Sequence, residues 1–268
     1  MRDITLGQYF PANSLLHRLD PRVKIVSLIA YIVLIFCAFN FYALALMGAT
    51  VLAIVIMSRV PLKMYLKSLK VIIIIVLITS VLNLFYGTGE PIAQWWIFKI
   101  TWAGIHNAIF VCVRIICLIL LSSALTFTTS PTDMTDALER LMKPLTVFHI
   151  KVHEIAMMMS IALRFVPTLL EETDKIMAAQ KARGADMESG NFIARIKALV
   201  PVLIPLFVSA FRRAYELAVA MECRCYQGGA GRTRMKQLHM GSRDAWCIVF
   251  GVLILAGVVL LDVFFGKV

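Results

Sequence analysis

Apolar residues along this chain run in long uninterrupted blocks instead of alternating or marking one helix face. From Ile25 to Ser58 there is no charged residue. As a single helix that block would be about 50 Å long, too long for one crossing of a hydrocarbon core about 30 Å thick. The pattern therefore predicts two short spans turning at Asn40, a hairpin that brings Arg59 back to the side of Lys24. Pro61, Lys63, Lys67 and Lys70 read as a basic loop, and a third span covers Val71 to Tyr86, closed by Gly87, Gly89 and Pro91. A fourth runs from Gly104 to Thr128, and a last from Ala245 to Leu261 between Asp244 and Asp262.

Two more apolar stretches, Ile155 to Leu170 and Ala198 to Phe211, invite the same reading but are short for it. The first contains Arg164 and Pro167. The second contains Pro201 and Pro205 and is fenced by Lys197, Arg212 and Arg213. If both crossed, Lys175, Lys181, Arg183, Arg195 and Lys197 would be carried to the other side. The expectation is five spans, with these two stretches at the interface or packed on each other.

Charge then sets a direction. Four Lys or Arg precede the first span, four lie between Arg59 and Lys70, and sixteen between Thr129 and Asp244, against Lys99 and Lys267 on the other side. By the positive-inside rule the N-terminus and the large middle segment are cytosolic and the C-terminus is extracytosolic. A composition 60% hydrophobic and 16% charged makes lipid part of the solvent. The net charge of +11 is scattered between apolar runs, which argues for membrane orientation and against a nucleic-acid partner. The N-terminus is expected to be retained, since the first apolar run follows Pro21 and ends without a small-residue cleavage site. Cys37, Cys112, Cys117, Cys223, Cys225 and Cys247 lack paired metal-ligand spacing and read as free thiols.

The resulting fold class is an all-α polytopic membrane protein with long crossed cytosolic helices. Residues 1–128 form the first four spans, 129–243 a cytosolic or interfacial helical segment, and 244–268 the last span. Ser130-Pro131-Thr132-Asp133 is a helix start, and Pro144 ends that helix. A second helical region runs from Val152 to Arg183 with a kink expected at Pro167, and a third from Phe192 to Tyr226, stopped by Gly228-Gly229. Ala210, Ala214 and Ala218 recur every four residues, which predicts a close helix crossing with Ala178 and Ala182 opposite.

The second and third regions close alike, on Ala182-Arg183-Gly184 and Cys223-Arg224-Cys225. Each Arg read alone complements the negative end of its helix dipole, an effect of roughly 0.3–1 kcal/mol. As a pair at two helix tips they form matched guanidinium plugs for acidic grooves on a partner.

Several stretches carry a resemblance to a known family. Gly7-Gln8-Tyr9-Phe10-Pro11, Ser14 through Lys24, Arg164-Phe165-Val166-Pro167 followed by Glu171-Glu172, and Ala179-Gln180-Lys181-Ala182-Arg183-Gly184 resemble the T component of energy-coupling factor transporters. That family's motif of an Arg between two small residues, present twice, maps onto Arg183 and Arg224. The second copy is flanked by Cys223 and Cys225 where alanine and glycine are common. The resemblance implies a non-catalytic coupling subunit seated on two ATP-binding-cassette ATPases and holding a membrane-embedded capture (S) component for vitamins or metal ions. It implies no cofactor on this chain, with ATP and Mg bound by the partner ATPases.

Two other classes fit less well. A stand-alone ion-coupled secondary transporter needs ionisable groups near the midplane, yet the five spans hold no Asp or Glu and only Arg114 is charged. A membrane enzyme lacks a site: His17, His106, His149, His153 and His239 are dispersed, and His149 with His153 and Glu154 is not H-E-x-x-H. Met157-Met158-Met159 reads as adaptable apolar packing. Gly228-Gly229-Ala230-Gly231-Arg232 is no phosphate loop, so energy must come from a partner.

Overall fold

The computed structural model describes residues 9–38, 40–85, 91–95, 98–185, 191–228 and 238–265. Gly7, Gln8, Gly87, Gly89, the Gly229 to Arg232 stretch and Lys267 lie outside them. In chain order the helices are α1 (Pro21–Cys37), α2 (Phe41–Ser58), α3 (Leu62–Phe85), α4 (Trp102–Thr128), α5 (Pro131–Met142), α6 (Val152–Ala182), α7 (Phe192–Cys223) and α8 (Ser242–Phe265). A short antiparallel hairpin, β1 (Pro91–Trp95) and β2 (Phe98–Thr101), joins α3 to α4 where a turn was expected. Among the described residues the other regular elements are helices.

Asn40 does mark the first turn, as the N-cap of α2, with its side chain accepting from the Tyr42 amide. The basic stretch after Arg59 is helical from Leu62, which corrects the expected loop. Pro61 sits just ahead of the first helical residue, and lysine is a good helix former, so nothing there breaks the helix. Ser130 caps α5 as read, taking the Asp133 amide at 3.1 Å while its hydroxyl donates to the Asp133 carboxylate at 2.7 Å.

By length and composition, five helices among the described residues can cross a membrane: α2, α3, α4, α6 and α8. The number equals the expected five, but the membership differs. α1, read as the first span, has 17 residues against 18 for α2, at the short limit for a crossing. α6 qualifies on an apolar window, although over its whole 31 residues it also carries Glu171, Glu172, Asp174, Lys175 and Lys181.

The chain divides into two compact units, residues 1–137 with 236–268, and residues 138–235. In the first, α4 is the centre, packed by α1, α2 and α3, and α8 packs on α1 and α2. Its core is apolar and includes the buried Ile35, Leu44, Met47, Val51, Phe127 and Val258. Buried hydroxyls there have acceptors, as an apolar interior demands. Tyr65 stacks edge-on to Phe127 at 5.2 Å and donates to Ser58 at 2.9 Å, while Tyr31 donates to the Met47 carbonyl at 2.7 Å and also meets the Thr50 hydroxyl. At the start of α4, a methyl group on Gly104 would lie 2.6 Å from the Leu84 carbonyl, so only glycine lets α3 and α4 close there.

Arg114, the lone charge within the expected spans, donates to the Ala38 carbonyl at 2.9 Å and lies over the Phe36 ring at 5.5 Å. Ala38 is the C-cap of α1, so the guanidinium answers a helix end whose carbonyls have no further intrahelical donors.

Candidate functional site

The second unit is built on the pairing of α6 with α7. Both helices contain proline, and one of these prolines explains a contact. Pro205 has no N–H to offer the carbonyl four residues back, that of Pro201. The Gln180 side-chain amide of α6 supplies the missing donor, at 3.3 Å. Further along, Arg213 of α7 meets Glu172 of α6 at 2.7 Å. The Ser209 hydroxyl, and after it the Arg213 guanidinium, hold the Glu172 carboxyl below the usual carboxylate range. Glu172 lies beyond the apolar stretch of α6.

These two contacts fix the sense of the pair. Contact positions rise from Glu172 to Gln180 on α6 while they fall from Arg213 to Pro201 on α7, so the helices run antiparallel. The less exposed positions of α7 form one stripe, Val202, Leu206, Ser209, Arg213 and Leu217. The expected small-residue contact is not what packs. Ala178, Ala182, Ala214 and Ala218 are exposed and only Ala210 is half-buried. The reason is angular: a stripe at strict four-residue spacing drifts round the helix, and the mixed three-and-four spacing of the bulkier positions keeps to one face.

Arg183 and Arg224 occupy equivalent places. Each is the C-cap of its helix, and each closes a Schellman motif. On α6, the Ala185 amide donates to the Gln180 carbonyl and the Gly184 amide to the Lys181 carbonyl, both at 3.0 Å. On α7, the Tyr226 amide donates to the Met221 carbonyl at 3.0 Å and the Cys225 amide to the Glu222 carbonyl at 2.8 Å. The residue after each Arg takes the left-handed conformation, Gly184 at φ 86° and Cys225 at φ 53°. This ends α7 at Cys223, before the Tyr226 and Gly228-Gly229 boundary expected for it. Both arginines are exposed, and neither has an ion-pair partner among the described residues. Since the helices are antiparallel, the two tips point to opposite ends of the pair. Each lies about three turns past the Glu172–Arg213 contact, which separates them by roughly 30 Å.

Against this geometry stand the relatives. Residues 12–236 match the CbiQ family, described as "Cobalt transport protein". Proteins called "Energy-coupling factor transporter transmembrane protein EcfT" match nearly end to end. That of Ruminiclostridium cellulolyticum is 49% identical over 265 residues, 99% of each chain. That of Thermosediminibacter oceani is 51% identical over 244 residues, 91% of this chain and 92% of its own, and that of Bacillus subtilis 48% identical over 250 residues, 93% and 94%. The chain belongs to this family of energy-coupling factor transmembrane proteins.

The family's opening signature has a structural use in the first unit. His17 Nε2 lies 2.9 Å from the Phe10 carbonyl and Nδ1 2.7 Å from the Ser14 hydroxyl. A carbonyl can only accept, so the Nε2–H of His17 donates to Phe10, and the ring bridges Phe10 and Ser14. Asp20 caps α1, and its own amide donates to Asp244 Oδ1 at 2.8 Å. Arg22 donates to the Leu238 carbonyl at 2.7 Å, and the buried Lys24 ammonium to the Thr128 carbonyl at 2.9 Å and the Thr129 hydroxyl at 3.3 Å. One short segment thus clasps the ends of α1, α4 and α8.

Sequence reasoning quoted Gln180, Glu172, Asp20 and Lys24 but assigned them no task. For Gln180 a signal existed, a proline four residues beyond an acceptor on the facing helix. His153, read as part of a surface pair, is held by Glu139 at 3.1 Å, and Glu154 by Lys151 at 3.3 Å. Met158 and Met159 are exposed.

Proposed function

We propose that this chain is the coupling subunit of an energy-coupling factor importer, transmitting ATP-driven movement of two cassette ATPases to a membrane-embedded capture subunit that delivers a vitamin or metal ion. The observation that carries the reading is the duplicated tip: two antiparallel helices, each ended by the same capping motif, each exposing at its C-cap one guanidinium that has no ion-pair partner among the described residues. A dipole cap needs no duplication and no separation. Two plugs roughly 30 Å apart suit two like partners, and Arg binds carboxylates in a planar fork. In this reading α1, α2, α3, α4 and α8 are the five spans, with the N-terminus cytosolic and the C-terminus extracytosolic, and α6 and α7 lie on the ATPase side, an orientation that rests on the charge asymmetry. ATP and Mg belong to the partner ATPases in this reading, and this chain holds no cofactor.

The test uses the complex co-expressed with its ATPases and capture subunit and reconstituted in liposomes. Arg183→Ala or Arg224→Ala is expected to weaken ATPase co-purification by roughly 2–5 kcal/mol or to leave hydrolysis uncoupled from uptake, the double variant to abolish uptake, and Lys to rescue in part. A double variant that assembles and transports like the parent leaves only the dipole cap, worth under about 1 kcal/mol.

A further inference from the structure

Within the first unit, a cavity of about 510 Å³ opens between the ends of α1, α2, α4 and α8. Its walls are apolar, with Leu28, Met57, Leu125 and Phe250 one from each helix, and Leu16 of the opening segment roofs it. From Lys24 at one end to Tyr31 at the other it follows about two turns of α1, a depth of about 10 Å, or a third of a hydrocarbon core. Phe250 and Met57 are 52% and 49% exposed, so the slot opens to whatever surrounds the helices, which for a membrane unit is hydrocarbon.

Size narrows the occupant. A helix is about 10–12 Å across, as wide as the slot is deep. One extended hydrocarbon chain is narrow enough.

Charge at the mouth narrows it further. Arg243 lines the cavity, is exposed, and has no hydrogen-bond or ion-pair partner among the described residues. The neighbouring charges are engaged: Lys24 with Thr128 and Thr129, Arg22 with Leu238, and Asp244 with the amides of Asp20 and Gly241 through its two oxygens. Of the two charged residues among those lining the cavity, Lys24 and Arg243, Arg243 is therefore the cation left to meet a ligand. Trp246, one turn on and 74% exposed, belongs to the residue type that settles at the headgroup boundary. Arg pairs with a phosphate through two N–H groups.

We propose that this cavity holds one acyl chain of an anionic phospholipid whose phosphate is bound by Arg243. The lipid completes the apolar packing between α1, α4 and α8 at the end where the opening segment clasps them. The site is separate from the arginine tips and does not depend on the coupling reading.

Native mass spectrometry tests it on the intact complex, and on the chain alone, in detergent with equal amounts of phosphatidylglycerol and phosphatidylcholine of matched chains. The parent is expected to retain phosphatidylglycerol about tenfold over phosphatidylcholine. Arg243→Gln should bring that ratio near one while keeping some lipid. Cys247→Phe, which fills the slot from α8, should lose both lipids with helix content by circular dichroism unchanged. Equal retention of the two lipids by the parent, a preference untouched by Arg243→Gln, or cross-linking of a cysteine at position 246 to the capture subunit in place of lipid would each overturn the assignment.

Discussion

In the first unit three charged groups at helix ends are turned inward. Lys24 is 8% exposed and ties the end of α4, Asp244 is 4% exposed and takes two backbone amides, and Arg114 closes the end of α1. In the second unit they point out: Arg183 and Arg224 are exposed, and the α6/α7 pair is held by partly exposed polar contacts at Glu172 and Gln180. The difference follows from solvent. A polar group surrounded by apolar atoms must find a partner or cost several kcal/mol, whereas a group kept in water stays free for another molecule. Inward charges hold a shape, and outward ones are available for work.

Five substitutions probe that contrast, from the largest effect down. Lys24→Ala leaves the Thr128 carbonyl buried without its charged donor and is expected to destabilise the first unit by roughly 3 kcal/mol, read as earlier thermal unfolding in nanodiscs. A loss under about 1 kcal/mol would mean that water reaches that carbonyl. Arg114→Ala removes the charged donor at the α1 end and should cost roughly 1–2 kcal/mol in the same assay. It should leave ATPase binding unchanged, and altered binding would contradict its purely internal role.

The tips sharpen the comparison within the second unit. Both motifs require a left-handed residue, which glycine adopts freely and other residues at roughly 1–2 kcal/mol. Cys225→Gly is expected to slow amide exchange at the end of α7, and Gly184→Ala to speed it at the end of α6 by a similar factor. Exchange that moves the same way in both variants, or in neither, would show that the left-handed residue does not control the two caps. Smallest is Glu172→Gln, expected to change stability little because the pair is partly exposed and screened. Salt should weaken the parent more than the variant, and a salt response that is the same in both would remove the ion pair from the account.

The apolar blocks, the turn at Asn40, the α5 start at Ser130 and the two arginine motifs were legible in the sequence because each depends on local chemistry: transfer to hydrocarbon, a capping oxygen, a run length, a repeated tripeptide. Family membership was legible for the same reason, since the opening signature and the Gln180 to Gly184 stretch are contiguous. The face on which α6 meets α7 was not. The alanine repeat suggested one stripe and the structure packs another, because which residues are covered depends on the whole facing helix. The tasks of Lys24, Asp244 and Gln180 were hidden too, as each partner is far away in the chain, Thr128 for Lys24 and Pro201 for Gln180. Periodicity and caps report energies that a few neighbouring residues decide. Only the tertiary structure decides which distant carbonyl lacks a donor, and that fixed where the buried charges went and left Arg183 and Arg224 exposed at opposite ends of one helix pair.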